Sequence, residues 1–440
     1  MQTARSWPFR DIFCLNGLRL SYEGRAQCRV SSTSAAVPSD STMSLASSDV
    51  AKATVDASAL PAAEPATTRK STALLLNIGH AMDHMFLLIF ATAVGAIAVD
   101  FGFERWESLM PYTVGAFFLF GIGSLPSGRL GDLWGRRAMM LIFFFGLGVS
   151  AILVALTQSP WQMAAALTLL GAFASIYHPV GIPMLVQNAV RPGWTIGVNG
   201  LAGNLGIAAA ALLTGFLVKY FGWRAAFVVP GLMAIACGIV FAMVVPDEPE
   251  APVKRKTKRL EVPRSVLARV FVIMTATAAT GSLLFNFTTN GNAQLLEERL
   301  TGLVEDPATL GILLAVIYTI ASLTQLVVGK LIDRYPIKRV WIGVVALQAP
   351  LFALAAFVSG WAAFAVLLGF MVLVFGAIPF TDALIVRYVD DQMRSRVSGV
   401  RIAIAFGVSS LAVWLLGPIV KAAGFDTLLL LMAAIAACTA

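Results

Sequence analysis

The sequence is short of charge. Of its 440 residues only 13% are Asp, Glu, Lys or Arg, while 58% are hydrophobic, and the mean hydropathy is +0.80. An ordinary soluble domain carries roughly a quarter charged residues. So few charges cannot cover a water-exposed surface. The composition therefore excludes an ordinary soluble protein and indicates a chain that crosses a membrane several times.

Several chemical signatures are also missing. The four cysteines are scattered without a CxxC spacing, which argues against a disulfide framework or a cysteine-based zinc site. They are Cys14, Cys28, Cys237 and Cys438. No Gly-rich nucleotide loop ending in Lys-Ser/Thr occurs, so ATP-driven pumping is not expected. No motif joins a nucleophile to a base and an orienting group. We predict that the protein is not an enzyme and uses no cofactor.

Residues 1–72 lack the apolar core of about 7–15 residues that a signal peptide requires. They are rich in Ser, Ala and Arg, which leaves three interpretations. The segment resembles an organelle transit peptide in composition, or it is a disordered N-terminal extension. Alternatively, Met43 is the true start and residues 1–42 are a start-site artefact.

Spanning helices need about 20 mainly apolar residues, and we predict twelve. The last predicted segment has 15 residues and reaches about 22 Å at ~1.5 Å per residue, short of a ~30 Å membrane core. The predicted segments are 73–99, 109–127, 138–157, 161–186, 195–219, 225–246, 267–290, 309–331, 339–358, 361–386, 397–420 and 426–440.

Lys and Arg set the predicted orientation, because they are enriched in cytoplasmic loops. If the segment before the first helix is cytoplasmic, connections on that side carry 21 Lys and Arg and the opposite connections carry 5. Both termini are therefore predicted to be cytoplasmic. Since the net charge of +8 follows from this topology, a nucleic-acid partner is not expected.

The chain repeats itself at an offset of about 200 residues. GRLGDLWGRR begins at Gly128 and GKLIDRYPIKR begins at Gly329, and two further echoes have nearly the same offset. The repeat predicts an N-terminal six-helix half over 73–246 and a C-terminal half over 267–440. The polar, basic segment 247–266 between them is predicted to be a cytoplasmic linker.

The first repeat motif carries Gly128, Asp132, Gly135, Arg136 and Arg137 in the pattern G-x-x-x-D-x-x-G-R-R. The glycines allow a tight turn, and Asp132 can pair with either arginine. This pattern resembles the signature loop of the major facilitator superfamily.

That resemblance implies an all-α integral membrane fold of twelve transmembrane helices in two six-helix halves, which rock around a central site. It also implies a gating role for Asp132 and Arg136. The second copy keeps Asp333 but has Pro336 in place of the second glycine.

Three longer stretches resemble the fosmidomycin-resistance-like branch of that superfamily. They are GHAMDH, GAFASIYHPVG and GVNGLAGNLGIAAA. The sequence departs from that branch and from other members at several positions. Asp83 is three residues after His80 rather than four, the Gly-Pro pair of helix 5 is absent, and Leu167 stands where many proton-coupled members carry an Arg.

Ionisable groups inside the predicted spans are the candidate site. Asp83 is the only acid deep within a span, and all three histidines (His80, His84 and His178) lie in spans. A mid-membrane charge costs about 2.5–3.5 kcal/mol on insertion scales, so it marks a wet cavity or a partner. His80, Asp83 and His178 lie at similar predicted depths in the membrane, and helices 1 and 4 are neighbours in the resembled fold. We therefore expect these three residues to lie in one layer on the cytoplasmic side.

Histidine titrates near pH 6.5, so beside an aspartate it is a candidate proton carrier. The alternatives are a buried polar network that clamps helices 1 and 4, or a divalent-ion site formed by His80, His84 and Asp83. Since Asp83 lies about 100° around the helix from His84, we predict no metal site.

Five asparagines in predicted spans could contact a solute. In helix 5 the surrounding glycines favour helix packing over solute binding. The five are Asn77, Asn199, Asn204, Asn286 and Asn290.

These features predict a monomeric secondary transporter that exports a small solute across a bacterial inner membrane, driven by protons. One alternative is proton-coupled uptake of a small organic acid, although no Lys or Arg lies mid-span to hold a carboxylate. Another is a non-transporting sensor on the same scaffold. The expected partners are the solute, protons and the lipid bilayer.

Overall fold

The computed structural model describes residues 70–187, 189, 191–246, 264–388 and 391–440. Within these ranges every regular element is a helix and none is a strand. Most of the predicted N-terminal extension and of the central linker lies outside the described residues.

The N-terminal helices, α1 to α8, follow one another with short connections. Two 3₁₀ turns precede α2, and a π-helical turn separates α5 from α6. The bounds are α1 Lys70–Asp100, α2 Val114–Ile122, α3 Ser124–Trp134, α4 Arg136–Ala155, α5 Pro160–Ala174, α6 Ile182–Val186, α7 Pro192–Phe221 and α8 Trp223–Val244.

The C-terminal helices are α9 to α15, of which α15 consists of two helical segments that meet at a kink at Gly424. Their bounds are α9 Arg264–Arg299, α10 Pro307–Arg334, α11 Ile337–Ala346, α12 Gln348–Ala355, α13 Gly360–Gly376, α14 Ile378–Tyr388 and α15 Asp391–Thr439.

Ten helices among the described residues are long and apolar enough to cross a membrane. An eleventh span results if two helical segments bent by 47°, Trp106–Ile122 and Ser124–Trp134, are counted together. The last span, Ala403–Thr439, contains Gly424 with a non-helical φ of 75°, close to the predicted boundary between the eleventh and twelfth helices. The all-α membrane fold is confirmed, and the count of twelve stays a prediction.

Helix ends follow the local sequence. Gly135 has φ 87° between α3 and α4, a conformation that side chains with a Cβ rarely adopt. At the start of α10 the Asp306 side chain accepts a hydrogen bond from the Thr309 amide at 3.1 Å. Ser159 caps α5 in the same way. Such caps satisfy amide groups that have no partner inside the helix.

The N-terminal and C-terminal helices meet along two seams, α7 with α10 and α2 with α15. At the first seam the backbones nearly touch. A Cβ on Gly215 would lie 2.6 Å from the Pro307 carbonyl oxygen, and one on Gly311 would lie 2.7 Å from the Ala211 carbonyl oxygen. Small residues are what allow two membrane helices to approach this closely.

Candidate functional site

Helix α1 places its polar residues toward the interior of the bundle. Asn77, His80 and His84 follow one another at spacings of three and four, which puts them on one side of a helix. Asp83 is fully buried and His80 is nearly so, whereas His84 is partly exposed. The predicted polar cluster of α1 therefore faces protein, and part of it reaches an accessible surface.

The fourth predicted span is broken where it passes α1. After α5 the chain forms a π-helical turn over Tyr177–Gly181 before α6 begins. Pro179 lies in this turn and has no backbone N–H to donate, and π-helical turns occur frequently at functional sites. The turn carries both Tyr177 and His178.

The structure brings the four predicted ionisable residues together. We call His80, Asp83, His84 and His178 the His–Asp cluster. The Nε2 atoms of His80 and His84 lie 3.2 Å apart. The His178 ring lies edge-on to both, with centroids 5.1 Å from His80 and 5.7 Å from His84. The expected layer of His80, Asp83 and His178 is thus found, with His84 in the same group.

Asp83 is the carboxyl group of the His–Asp cluster. Its Oδ2 lies 3.4 Å from His178 Nε2, and its exposed fraction is 0%. Within the described ranges neither oxygen of this carboxylate accepts a hydrogen bond. A fully buried charge of this kind is stable only beside a cation or with a proton.

Asn199 of α7 fixes the geometry around His80. Its backbone carbonyl accepts a hydrogen bond from His80 Nδ1 at 2.7 Å. Its side-chain amide donates to Asn77 Oδ1 at 2.9 Å and to the Tyr177 hydroxyl at 2.7 Å. Tyr177 in turn donates to the Leu76 carbonyl and stacks on His80, with ring centroids 4.7 Å apart.

His178 lies at the α2–α15 seam. Its ring contacts Phe120 of α2 and Phe406 of α15, with centroids 5.8 and 5.6 Å away. The two phenylalanines also contact each other across the seam, at 4.3 Å. A displacement of α15 relative to α2 would therefore change the surroundings of His178.

The remaining predicted asparagines are also buried. Asn286 donates to the Ser409 hydroxyl of α15 at 2.8 Å, and Asn290 donates to the Asn286 carbonyl at 3.1 Å. These bonds, like those of Asn77 and Asn199, join or brace helices. Asn204 is buried in α7 without joining the His–Asp cluster through a hydrogen bond to any described residue. A solute contact for the five asparagines stays a prediction.

The predicted gating loop is largely helical: Gly128 and Asp132 lie in α3, Gly135 separates the helices, and α4 begins at Arg136. Arg136 donates to Gln187 Oε1 at 2.8 Å, and Arg137 donates to the carbonyls of Ala242 and Val245 at the end of α8. These bonds tie the start of α4 to its neighbours in the N-terminal half. The gating roles of Gly128, Asp132, Gly135, Arg136, Arg137 and Asp333 stay predictions.

The comparison with family models decides the family. The model described as Major Facilitator Superfamily matches residues 76–303, more than half of the chain. The chain belongs to the major facilitator superfamily. The assignment to its fosmidomycin-resistance-like branch stays a prediction.

Curated superfamily members resemble parts of the chain. It is 27% identical over 255 residues to the multidrug resistance protein MdtG of Yersinia enterocolitica, covering 55% of this chain and 59% of that protein. It is 29% identical over 203 residues to a probable actinorhodin transporter of Streptomyces coelicolor, covering 44% of this chain and 35% of that protein. The match thus spans about half the length, or less, of these relatives.

Solved structures share the superfamily fold. A bacterial homolog of the human lysosomal transporter Spinster, in an inward-facing and occupied conformation, matches with a TM-score of 0.67. The match covers 84% of this chain and 95% of that chain at 14% identity. At this identity the likeness concerns the fold.

Sequence reasoning missed three residues of the site. Tyr177 was overlooked although it precedes His178 and is polar within an apolar span. Gly203 was overlooked although a Cβ there would lie 2.7 Å from the His80 ring. Phe406 carries no signal in the sequence, because one phenylalanine among 28 reveals nothing about which histidine it contacts.

Proposed function

We propose that the chain is a secondary transporter that exports a small polar or amphipathic solute from a bacterial cell, driven by protons, by alternating access. Two kinds of observation support this. The relatives in the superfamily are named for multidrug resistance and for the transport of actinorhodin. The buried Asp83–His178 pair lies beside the seam at which N-terminal and C-terminal helices meet.

The position of that pair carries the proposal. A coupling group must bind a proton and must sense which way the transporter faces. Asp83 lies next to His178, and His178 contacts Phe406 of α15. Movement of α15 would change the access of water to His178, so proton binding and the rocking of the halves would be coupled there. We place the protein in the inner membrane as a monomer with cytoplasmic termini.

The test is solute flux in proteoliposomes with an imposed pH gradient. A panel of small polar and amphipathic solutes is measured with wild type, Asp83→Asn and His178→Ala. Asp100→Asn is the matched control, since Asp100 lies at the far end of the same helix in an exposed pair with Arg224. We expect Asp83→Asn and His178→Ala to lose gradient-driven flux, and Asp100→Asn to retain it.

Two results would contradict the proposal. Flux by Asp83→Asn and His178→Ala with the wild-type dependence on the gradient would make the cluster a structural brace. If wild type moves no solute of the panel in either direction of the gradient, proton-driven export of this class is not its activity.

A further inference from the structure

The three imidazoles converge as metal ligands do. One nitrogen of each of His80, His84 and His178 can be chosen so that all three lie within 4.8 Å of one another. In a tetrahedral site with Zn–N distances of 2.0–2.1 Å, two ligand nitrogens are about 3.3–3.4 Å apart. The His80 and His84 Nε2 atoms, at 3.2 Å, already have nearly that spacing. For a three-nitrogen set, the His178 nitrogen would have to move closer to these two atoms.

The tautomer of His80 suits this role. A backbone carbonyl only accepts hydrogen bonds, so the 2.7 Å contact with Asn199 places a hydrogen on His80 Nδ1. In neutral His80 the lone pair is then on Nε2, the atom that faces His84. Metal-binding histidines usually donate their other N–H to a carbonyl or carboxylate in this way, which fixes the ring and raises its basicity.

Asp83 provides the charge that a cation would neutralise. Its carboxylate is fully buried beside His178 and accepts no hydrogen bond from any described residue. A proton could also neutralise it, but one proton does not require three imidazoles within reach of one another. A divalent cation beside this carboxylate accounts both for the buried carboxylate and for the three imidazoles near it.

We infer that the His–Asp cluster binds one divalent transition-metal ion of the zinc class, with His80, His84 and His178 as ligands and Asp83 as the anion beside them. Three imidazole ligands favour ions such as Zn²⁺ or Ni²⁺ over Mg²⁺ or Ca²⁺, which prefer oxygen ligands. The inference goes beyond the proposed transport function, and it concerns the same residues, so a bound ion would compete with a proton for His178 and Asp83. It replaces the expectation of no metal site, which considered ligands from α1 alone and left out His178.

Two side chains of the cluster are accessible. His84 and His178 are both partly exposed, and His178 borders the α2–α15 seam. The buried side is formed by Asp83 and by His80, which Asn199 and Tyr177 hold in place. The cluster thus has a rigid buried side and an accessible side, as a binding site requires.

The test is calorimetric titration of Zn²⁺ into the full chain, purified in detergent with a tag that contains no histidine. Visible absorption of bound Co²⁺ reports tetrahedral nitrogen coordination independently of transport. We expect one site per chain, no binding of Mg²⁺, and a Zn²⁺ affinity at least about tenfold weaker in His84→Ala, because even outer partners of a metal site contribute about 10–100-fold.

His84→Ala is the first variant because His84 is partly exposed and its recorded contacts are with the other two histidines. His178→Ala is the second variant. The control is Cys237→Ser, since a thiol is the other side chain that binds Zn²⁺ strongly and Cys237 lies in α8. Zn²⁺ should raise the melting temperature of wild type and Cys237→Ser but not of the histidine variants.

Absence of Zn²⁺ binding in wild type would overturn the inference, as would equal affinity in wild type and both histidine variants. Loss of binding in Cys237→Ser alone would move the site to α8 and also overturn it. None of these outcomes affects the flux experiment, so failure of the metal site and failure of the transport proposal are distinguishable.

Discussion

At the scale of single residues, Tyr177 joins α1 and α7 to the π-helical turn. Its hydroxyl donates to the Leu76 carbonyl of α1 and accepts from the Asn199 amide of α7, both at 2.7 Å, while its ring stacks on His80. A buried polar group without a partner costs about 1–3 kcal/mol. The hydroxyl therefore stabilises the junction of α1, α7 and the π-helical turn.

Tyr177→Phe should lower stability and leave the rings stacked. The ring keeps its shape, but the Asn199 amide loses one of its acceptors, so we expect a loss of about 1–3 kcal/mol. Thermal unfolding in detergent measures it. Tyr335→Phe, at an exposed tyrosine, is the control, and an equal change in both variants would show that the buried hydroxyl contributes nothing.

Gly203→Ala should disturb His80. The added Cβ would lie 2.7 Å from two atoms of its ring, and the ring is held by Tyr177 and Asn199, so it cannot move away freely. Overpacking of this kind costs about 1–3 kcal/mol. Gly197→Ala in the same helix meets open space and should be neutral or slightly stabilising. Equal melting temperatures for the two variants would contradict the packing argument.

The sequence predicts the four members of the His–Asp cluster because ionisable groups stand out in apolar spans. It does not predict their partners. The bond from His80 to Asn199 joins residues 119 positions apart and depends on how α1 and α7 are aligned. That alignment follows from glycines such as Gly206, where a Cβ would lie 2.0 Å from the Ala81 carbonyl oxygen. A hydropathy pattern does not reveal how closely two helices approach each other.

At the scale of helices, hydropathy predicts where the membrane spans lie but not where they bend. Length and hydropathy locate the membrane spans, because about 20 apolar residues are needed for each. They do not show that the predicted segment 109–127 belongs to two segments bent by 47°. They also do not show the π-helical turn beside His178.

Gly311→Ala should separate α7 from α10. The new Cβ would lie 2.7 Å from the Ala211 carbonyl oxygen, and backbone atoms cannot rotate away as a side chain can. We expect a loss of about 1–3 kcal/mol, measured by thermal unfolding. Gly343→Ala in α11 is the control, since a Cβ there meets nothing within 4 Å. A loss of the same size in Gly343→Ala would mean that helix composition, not the close crossing, sets the effect.

At the scale of the whole molecule, the N-terminal and C-terminal helices are joined at one end by polar and aromatic contacts. Lys219 Nζ lies 2.7 Å from Asp306 Oδ1, Lys421 Nζ lies 3.1 Å from Ser108 Oγ, and Trp106 stacks on Phe425. The charge bias predicts that this end faces away from the cytoplasm. These contacts join the two sets of helices at the predicted outer end, and the proposed alternating access would require that they break.

Asp306→Asn should shift the molecule toward opening at that end. Both partners of the Lys219–Asp306 pair are about one-third exposed, and exposed ion pairs contribute little to stability, so the expected shift in population is at most a few-fold. The distance is measured between spin labels on the exposed residues Phe221 and Leu303, after the four cysteines are replaced by serine. We expect this distance to be longer in Asp306→Asn than in wild type. Asp426→Asn is the control, because Asp426 pairs with Arg299 inside the C-terminal helices.

The pH dependence of that distance separates this closure from the His–Asp cluster. The hydrogen bond from Lys219 holds the pKa of Asp306 below its ordinary value, with Thr309 contributing in the same direction. Because the pKa is lowered, the stabilisation from this ion pair is fully present above the ordinary carboxyl pKa of about 4. It disappears only when the pH falls through the lower pKa of Asp306 in the folded protein. Between pH 5 and 8 the Lys219–Asp306 pair should therefore not change the distance between the spin labels.

The outcomes are distinguishable. If wild type and Asp306→Asn open to the same extent between pH 5 and 8, the opening arises elsewhere, with histidines as the candidates. An opening near pH 6 that Asp306→Asn abolishes would contradict the assignment of a low pKa to Asp306.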